Sequence, residues 1–184
     1  MISKIIVRTD IVDQLLPMTE VEQHCRVYDP HENELLMAYR LAAISYAERY
    51  MNRVIAPCVA AATFTEYKSR VFLPLGDVQS LLSIEAVDRS GNVVMIDRKA
   101  PRLNSVSNEL VLPAELSGFQ DFVVEYEVGY KLVEDVPASI KIGLMKLIAT
   151  WYENREDVSN GITVAKVPFN HTQCFELYRI PAGA

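Results

Sequence analysis

The apolar residues between positions 137 and 156 recur at the spacing of one buried helical face. They follow i, i+4, i+7, i+8 and i+11, which is the repeat of an amphipathic α-helix. They are Ile140, Leu144, Leu147, Ile148 and Trp151. Pro137 suits the first turn of such a helix, where its missing N–H has no intrahelical partner to lose. The pattern predicts a helix over 137–156 that ends in an aromatic and charged cluster.

A second helical pattern covers residues 30–52. Asp29 is expected to cap it, Pro30 to occupy its first position, and Glu32 to bond back to the cap. A shorter helix is predicted over 19–26, because Thr19 and Glu22 have the spacing of a capping box.

The helix over 30–52 is predicted to bury a stripe against the helix over 137–156, because its alanines allow a second helix to approach closely. The stripe comprises Leu35, Tyr39, Ala42, Tyr46 and Tyr50, widened by Leu36 and Ala43. The charged residues expected to face water or a partner are Arg40, Glu48, Arg49 and Arg53.

Between about 59 and 130 the apolar residues alternate with polar ones, as they do in β-strands. The predicted strands are 62–67, 81–87, 93–96, 107–112 and 121–130, and a turn at 89–92 joins two of them in a hairpin. Helices before and after a mostly antiparallel sheet indicate an α+β protein and not the βαβ alternation of a doubly wound fold.

These patterns suggest a single domain over 1–184, divided into five segments. The segments are an N-terminal arm (1–18), a helical core (19–53 and 136–157), a β-rich insertion (59–130) and a C-terminal extension (158–184). The arm has two interpretations, an extended segment packed on a neighbour or a strand of the chain's own sheet. The extension should contain a short helix around Cys174, Phe175, Leu177 and Tyr178, capped by Asn170 or Thr172.

The charge of the chain argues against a surface that wraps DNA. The 184 residues carry 24 acidic and 18 basic side chains, a formal net charge of −6. A DNA-wrapping surface needs clustered Lys and Arg to neutralise phosphates. The chain has no apolar run of about 18 residues, so we expect no transmembrane helix. Residues 1–10 carry Lys4, Arg8 and Asp10 and lack a long apolar core, so we expect no signal peptide.

Catalytic and metal-binding patterns are weak. His24, His31 and His171 lack metal-ligand spacing, and the seven glycines form no phosphate-binding loop, so no metal and no cofactor are expected. The three cysteines form no CxxC pair and suit reduced, packed thiols. A small hydrolase stays an alternative, built on a cysteine or on the carboxylates of Glu125 and Glu127.

The cluster at the end of the helix over 137–156 is the strongest candidate for binding. Trp151 and Tyr152 lie beside Glu153 and Arg155, a mixture typical of interface anchors. The alternative is a solvated helix end with local ion pairs, each contributing only about a few tenths of a kcal/mol.

Taken in order, several segments resemble the head–tail connector (adaptor or head-completion) family of tailed bacteriophages, in its longer form with a β-rich insertion. The most specific are Val136-Pro137 and the Trp-Tyr-Glu-Asn-Arg-Glu run at 151–156. The others are the opening helix at 19–27, the Ala-rich helix at 41–50, the strand ending in Gly129-Tyr130, and Val167-Pro168-Phe169 followed by Tyr178-Arg179. His24-Cys25 departs from the family, which more often has His-Leu there.

The resemblance implies a structural protein of the virion with no enzymatic activity. Such proteins form a ring, usually twelvefold, below the portal and extend the DNA channel toward the stopper or tail-completion protein. DNA would pass through without sequence-specific binding and no membrane would be involved. The protein would reside at the head–tail junction after assembly in the host cytoplasm. Another phage neck or tail-completion binding module is the alternative.

The interaction residues that follow from the helix-end cluster and the resemblance lie in two segments. At the helix end they are Trp151, Tyr152, Glu153 and Arg155; in the C-terminal extension they are Phe169, Phe175, Tyr178 and Arg179.

Overall fold

The chain forms two compact units in a computed structural model that describes residues 2–155 and 170–181. The first unit comprises 2–9, 52–132 and 180–181, and the second comprises 10–51, 133–155 and 170–179. Helices and antiparallel sheets together confirm the predicted α+β class. The description of 1–184 as a single domain stays a prediction.

The first unit contains two antiparallel sheets. Its strands are β1 (Ile2–Arg8), β2 (Cys58–Phe64), β3 (Arg70–Phe72), β4 (Val78–Val87), β5 (Val93–Met95), β6 (Arg102–Asn104), β7 (Glu109–Val111) and β8 (Gln120–Val128). Five of them form a sheet in the order β1-β2-β8-β4-β5, and three form a sheet in the order β3-β7-β6.

Alternation along β2 and β8 builds the core of this unit. The buried residues of β8 are Phe122, Val124, Tyr126 and Val128, while Glu125 and Glu127 point to the other face, as the sequence predicts. The Phe122 ring stacks on Phe64 of β2 with centroids 5.0 Å apart. The buried Tyr126 hydroxyl donates to the Pro74 carbonyl at 2.9 Å, so its polar end is satisfied within the core.

Asn108 joins the two sheets through a left-handed backbone at φ 54°. Its buried side-chain oxygen accepts a hydrogen bond from the Val78 N–H at 3.0 Å, where β4 begins. Its carbonyl accepts one from the Leu73 N–H at 2.8 Å. Asn tolerates this conformation better than most residues, which explains why it occupies the position.

The N-terminal segment pairs with β2 from Ile2 to Arg8, so the alternative of a strand in the chain's own sheet is the one observed. Each predicted strand has an observed counterpart, although the strand predicted over 62–67 instead begins at Cys58 and ends at Phe64. Strands β3 and β6 were not predicted from the sequence.

The second unit is helical. Its helices are α1 (Val12–Leu15), α2 (Met18–Cys25), α3 (Asn33–Met51), α4 (Ala138–Glu153) and α5 (His171–Glu176), with a 3-10 turn over Pro30–Glu32. Residues 158–169 of the predicted C-terminal extension (158–184) lie outside the described residues.

Two of the predicted helix caps are confirmed and one is wrong. Asp29 accepts a hydrogen bond from the His31 N–H at 3.0 Å, and Asn170 accepts one from the Thr172 N–H at 3.1 Å. Thr19 does not cap α2, because the helix already begins at Met18, directly after the extended Pro17.

The predicted orientation of α3 is correct in part: Tyr39 and Tyr46 contact Trp151 of α4 as expected, but a different face of the helix is buried. The face that is buried contains Leu36, Arg40, Ala43, Ile44, Ala47, Glu48 and Met51, whereas Ala42 and Tyr46 are exposed. Arg40, expected to face water, is 0% exposed. Its guanidinium donates to Asp13 Oδ1 at 2.6 Å and to the Val12 carbonyl at 3.2 Å, contacts with α1 that no local pattern could predict.

The predicted stripe of α4 is confirmed, since Ile140, Leu144, Leu147 and Ile148 are all buried. Gly143 on this helix allows α5 to approach. A Cβ added there would lie 2.6 Å from the Phe175 ring and 2.8 Å from the Cys174 Cβ. Phe175 is fully buried, so the notch at Gly143 receives the largest apolar side chain of α5.

We expect Gly143→Ala to lower the free energy of unfolding by about 1–2 kcal/mol. Overpacking costs about 1–3 kcal/mol, which outweighs the gain of up to about 1 kcal/mol from alanine's helix propensity. The measurement is the urea midpoint of the purified chain. Gly118→Ala is the control, because a Cβ there meets nothing within 4 Å. An equal loss of stability in both variants would contradict the close packing of α5 at Gly143.

We also expect Arg40→Ala to lower the free energy of unfolding by about 3 kcal/mol, since it empties a fully buried site. Asp13→Ala should cost less than about 1 kcal/mol, because the Asp13 side chain is 86% exposed and water screens its charge. Chemical denaturation of both variants tests this difference. Equal losses would mean that the ion pair, and not the packed arginine, stabilises α3.

Candidate interaction surface

An aromatic cluster in the second unit brings together residues from three helices. Tyr46 of α3 contacts the Trp151 ring of α4 edge-on at 6.2 Å and the His171 ring of α5 at 5.7 Å. The cluster consists of Tyr39, Tyr46, Tyr50, Trp151, His171 and Phe175. Offset and edge-to-face arrangements of this kind contribute about 0.5–1.5 kcal/mol per pair beyond area burial.

A shallow groove of about 550 Å³ opens beside this cluster. It is lined by Ala42, Ser45, Tyr46, Arg49, Tyr50 and Trp151. The groove combines aromatic walls, a floor of small side chains and one exposed arginine, a composition that resembles the centre of a protein interface more than a catalytic pocket.

Arg155 is engaged within its own unit. Its Nη2 lies 2.7 Å from Glu32 Oε2, and its guanidinium lies over the Tyr152 ring at 4.6 Å from the centroid. The hydrogen bond to Glu32 raises the pKa of Arg155 further. The sequence predicts that Glu32 bonds back to the N-cap at Asp29. In the structure its carboxylate bonds to Arg155 instead.

Arg179 and Tyr50 form a second polar anchor at the other end of α3. The Tyr50 hydroxyl donates to the Glu176 carboxylate, and this hydrogen bond raises the pKa of Tyr50. Arg179 lies over the Tyr50 ring at 5.3 Å and 3.6 Å from Glu176 Oε1. This arrangement holds the end of α5 against α3.

The eight residues predicted to mediate interactions differ in their accessibility. Glu153, Arg155 and Arg179 are exposed, whereas Trp151, Tyr152 and Tyr178 are half-buried. The Tyr178 hydroxyl lies 2.9 Å from Ser139 Oγ. Phe175 is fully buried and packs the core of its own unit. Phe169 lies outside the described residues.

The sequence predicts that the tyrosine stripe of α3 packs against α4, and the contacts of Tyr39 and Tyr46 with Trp151 agree with this, but Tyr46 is exposed and Tyr39 and Trp151 are only half-buried. The spacing of Tyr39, Tyr46 and Tyr50 was the available signal, because it places three rings on one side of a helix. His171, which lacks metal-ligand spacing in the sequence, is half-buried, and its contact with Tyr46 shows a packing role.

No nucleophilic or metal site is assembled by the described residues. No group of three or more His, Cys, Asp or Glu side chains among them could hold a metal ion. Burial, and then the nearby charge of Glu153, raise the pKa of the Cys25 thiol, which disfavours the reactive thiolate.

A second pocket, of about 370 Å³, lies in the first unit and contains Cys58, Ser80 and Glu127, but its lining includes no histidine. The Cys58 thiol is buried and donates to the Ala56 carbonyl at 3.0 Å. Glu127 Oε2 accepts a hydrogen bond from Ser80 Oγ at 2.7 Å. These contacts do not activate a nucleophile.

Three solved chains share this fold over the whole length of the protein. One belongs to the neck of an empty GTA particle computed with C6 symmetry, with a TM-score of 0.75 and 19% identity, covering 100% of this chain and 99% of that one. The second, from the virion of a native gene transfer agent (GTA) particle, has a TM-score of 0.71, 20% identity and the same coverage. The third belongs to the neck of a native GTA particle computed with C12 symmetry, with a TM-score of 0.72, 20% identity and again the same coverage.

At 19–20% identity, these similarities establish a common fold. No protein-family model matches the sequence, and no curated protein matches it. Among the described helices, none is long and apolar enough to cross a membrane.

We expect the stability of the second unit to fall as the pH drops below about 6.5, the ordinary pKa of histidine. Burial lowers the pKa of His171. As the pH falls, the unfolded state therefore binds a proton more readily than the folded state, which favours unfolding. The contribution of neutral His171 to the stability of the folded state is thus complete above about pH 6.5 and smaller below it. Urea midpoints at pH 7.5 and 5.0 should diverge less in His171→Phe than in the wild type.

A titration of His171 by nuclear magnetic resonance provides an independent check. The expected midpoint lies below that of an unstructured histidine peptide measured in the same buffer. A midpoint at or above the peptide value would contradict the burial of His171 between Tyr46 and Phe175.

Proposed function

We propose that this protein is a head–tail connector of a phage or phage-like particle, an adaptor that forms a ring below the portal. The observation that carries the proposal is the shared fold, which covers the whole chain and is found in chains of particle necks with C6 and C12 symmetry. The ordered sequence motifs that resemble the connector family support it independently. The protein would act in the virion at the head–tail junction, after assembly in the host cytoplasm.

The proposed role is structural and not enzymatic. The chemistry of the described residues supports this, because the Cys58 thiol donates to the Ala56 carbonyl and the Glu127 carboxylate accepts from Ser80. The hydrolase alternative has no comparable support. The groove beside the aromatic cluster, in contrast, has the composition of a protein interface.

The ring would be closed by copies of this chain, and we propose a twelvefold ring. A cyclic ring requires heterologous contacts, in which one face of a subunit fits a different face of the next. Its neighbours would be the portal protein on one side and a stopper or tail-completion protein on the other. The net charge of −6 would disfavour tight binding of phosphates and let DNA slide through the channel.

The aromatic and charged residues at the end of α4 would contribute to contacts with neighbouring subunits. Glu153 is exposed and available, while Trp151 lines the groove and can receive a side chain from outside. Arg155 and Arg179 would act chiefly by holding the helix ends in place, since both already contact acidic and aromatic partners in their own unit.

The test is to produce particles without this chain and to examine them by electron microscopy. The expected result is DNA-filled heads that leak and lack tails, with restoration when the purified chain is added back. Rings should be visible at the portal vertex of the restored heads. Infectious, tailed particles formed without the chain would overturn the proposal.

Complete necks with unfinished tails would instead favour a tail-completion module. A truncation of the C-terminal extension is a poor substitute for this experiment, because it would also remove the buried Phe175 and unfold the second unit.

A further inference from the structure

Helix α3 differs from an ordinary surface helix in two ways: its buried side includes two charged residues, and its exposed side is largely uncharged. The charged side chains of Arg40 and Glu48 are buried, at 0% and 9% exposure, on its inner side. Between Glu34 and Arg49, the exposed side carries no charge. We call this side the outer face of α3; it consists of Met37, Ala38, Leu41, Ala42, Ser45 and Tyr46.

The exposure of the outer face is substantial. Leu41 is 53% exposed, Met37 43% and Tyr46 38%, and they lie within about three helical turns of one another. A surface helix of a globular protein normally directs its polar residues outward and its apolar residues inward. A contiguous apolar patch on the outside is typical of a surface that a partner covers.

The shape of the outer face suits a helix or another close-packed element. Ala38, Ala42 and Ser45 are small and one helical turn apart, so a partner can approach the backbone between Met37 and Tyr46. The face continues without interruption into the groove, which shares Ala42, Ser45 and Tyr46 with it. The groove offers a depression for one large side chain of the partner.

We propose that the outer face of α3 is covered by a second copy of this chain, the neighbouring subunit in a ring. The inference rests on the proposed connector function, since cyclic assembly places copies side by side. Phosphates do not suit an uncharged face, but a copy of an acidic chain suits Arg49, which is exposed at the rim of the groove.

The second unit also offers a different surface of matching chemistry, as a heterologous contact requires. Ile142 on α4 is 52% exposed, and the exposed carboxylate of Glu153 lies at the end of the same helix. Glu153 lies about 16 Å from Ile142 along α4, and its carboxylate, unlike the exposed Lys146 between them, is complementary to Arg49 at the rim of the outer face.

The test compares Leu41→Glu with Val106→Glu in rings assembled on portal-bearing heads. Both substitutions add one negative charge at an exposed apolar position, since Val106 is 98% exposed in the first unit. We expect Leu41→Glu to reduce the number of rings counted in negative-stain images at least about tenfold, because a charge would be buried without a partner. Val106→Glu should leave it unchanged.

Thermal unfolding of the free chain must show that Leu41→Glu stays folded; if it does not, Ala42→Gln replaces it as the disruptive variant. Intact rings with a folded Leu41→Glu or Ala42→Gln variant would overturn the inference while the connector function stands. Absence of wild-type rings on heads would overturn both.

Ala42→Cys identifies the occupant. Its maleimide labelling, located by mass spectrometry of the peptide, should be at least about tenfold slower in purified rings than in the free chain. Protection that is lost when the portal is removed from intact rings would assign the outer face to the portal and overturn the proposal of a second copy.

Discussion

The buried guanidinium of Arg40 fixes the rotation of α3, and much of the second unit depends on that rotation. Its contacts with Asp13 and the Val12 carbonyl require this side of the helix to face α1. With Arg40 inside, the tyrosines of α3 turn toward α4 and α5, and Leu41 turns outward. The burial of Arg40 is thus coupled, through the rotation of α3, to both the aromatic cluster and the uncharged outer face.

The parts of the fold that could be predicted are those with an unambiguous local pattern. Helix α4 has one apolar stripe and strand β8 alternates strictly, so both were predicted close to their observed bounds. The rotation of α3 could not be predicted, because apolar residues occur on nearly all its sides and two stripes compete. Asp13, which accepts a hydrogen bond from the buried Arg40, lies 27 positions away in the sequence.

The same distinction holds for the candidate interaction surface. The Trp-Tyr-Glu-Asn-Arg-Glu run could be predicted as an interaction site, because its aromatic and charged residues are adjacent in the sequence. The groove beside it could not be predicted, because it is formed by Arg49 and Ala42 of one helix and Trp151 of another. Arg155 could be selected as a charged anchor, but its partner Glu32 is 123 positions away, so its intramolecular role could be learned only from the fold.

The path of the chain has a consequence for the order of synthesis. Strand β1 is made first, yet its partner β2 follows only after the residues of α1, α2 and α3. At about 5–20 residues per second, translation of the roughly fifty intervening residues takes about 3–10 s. During that interval the apolar run Ile5-Ile6-Val7 has no strand to pair with, while the helices can already begin to form. A nascent chain therefore carries an unpaired strand for seconds, and protection by a chaperone is most valuable between the synthesis of β1 and that of β2.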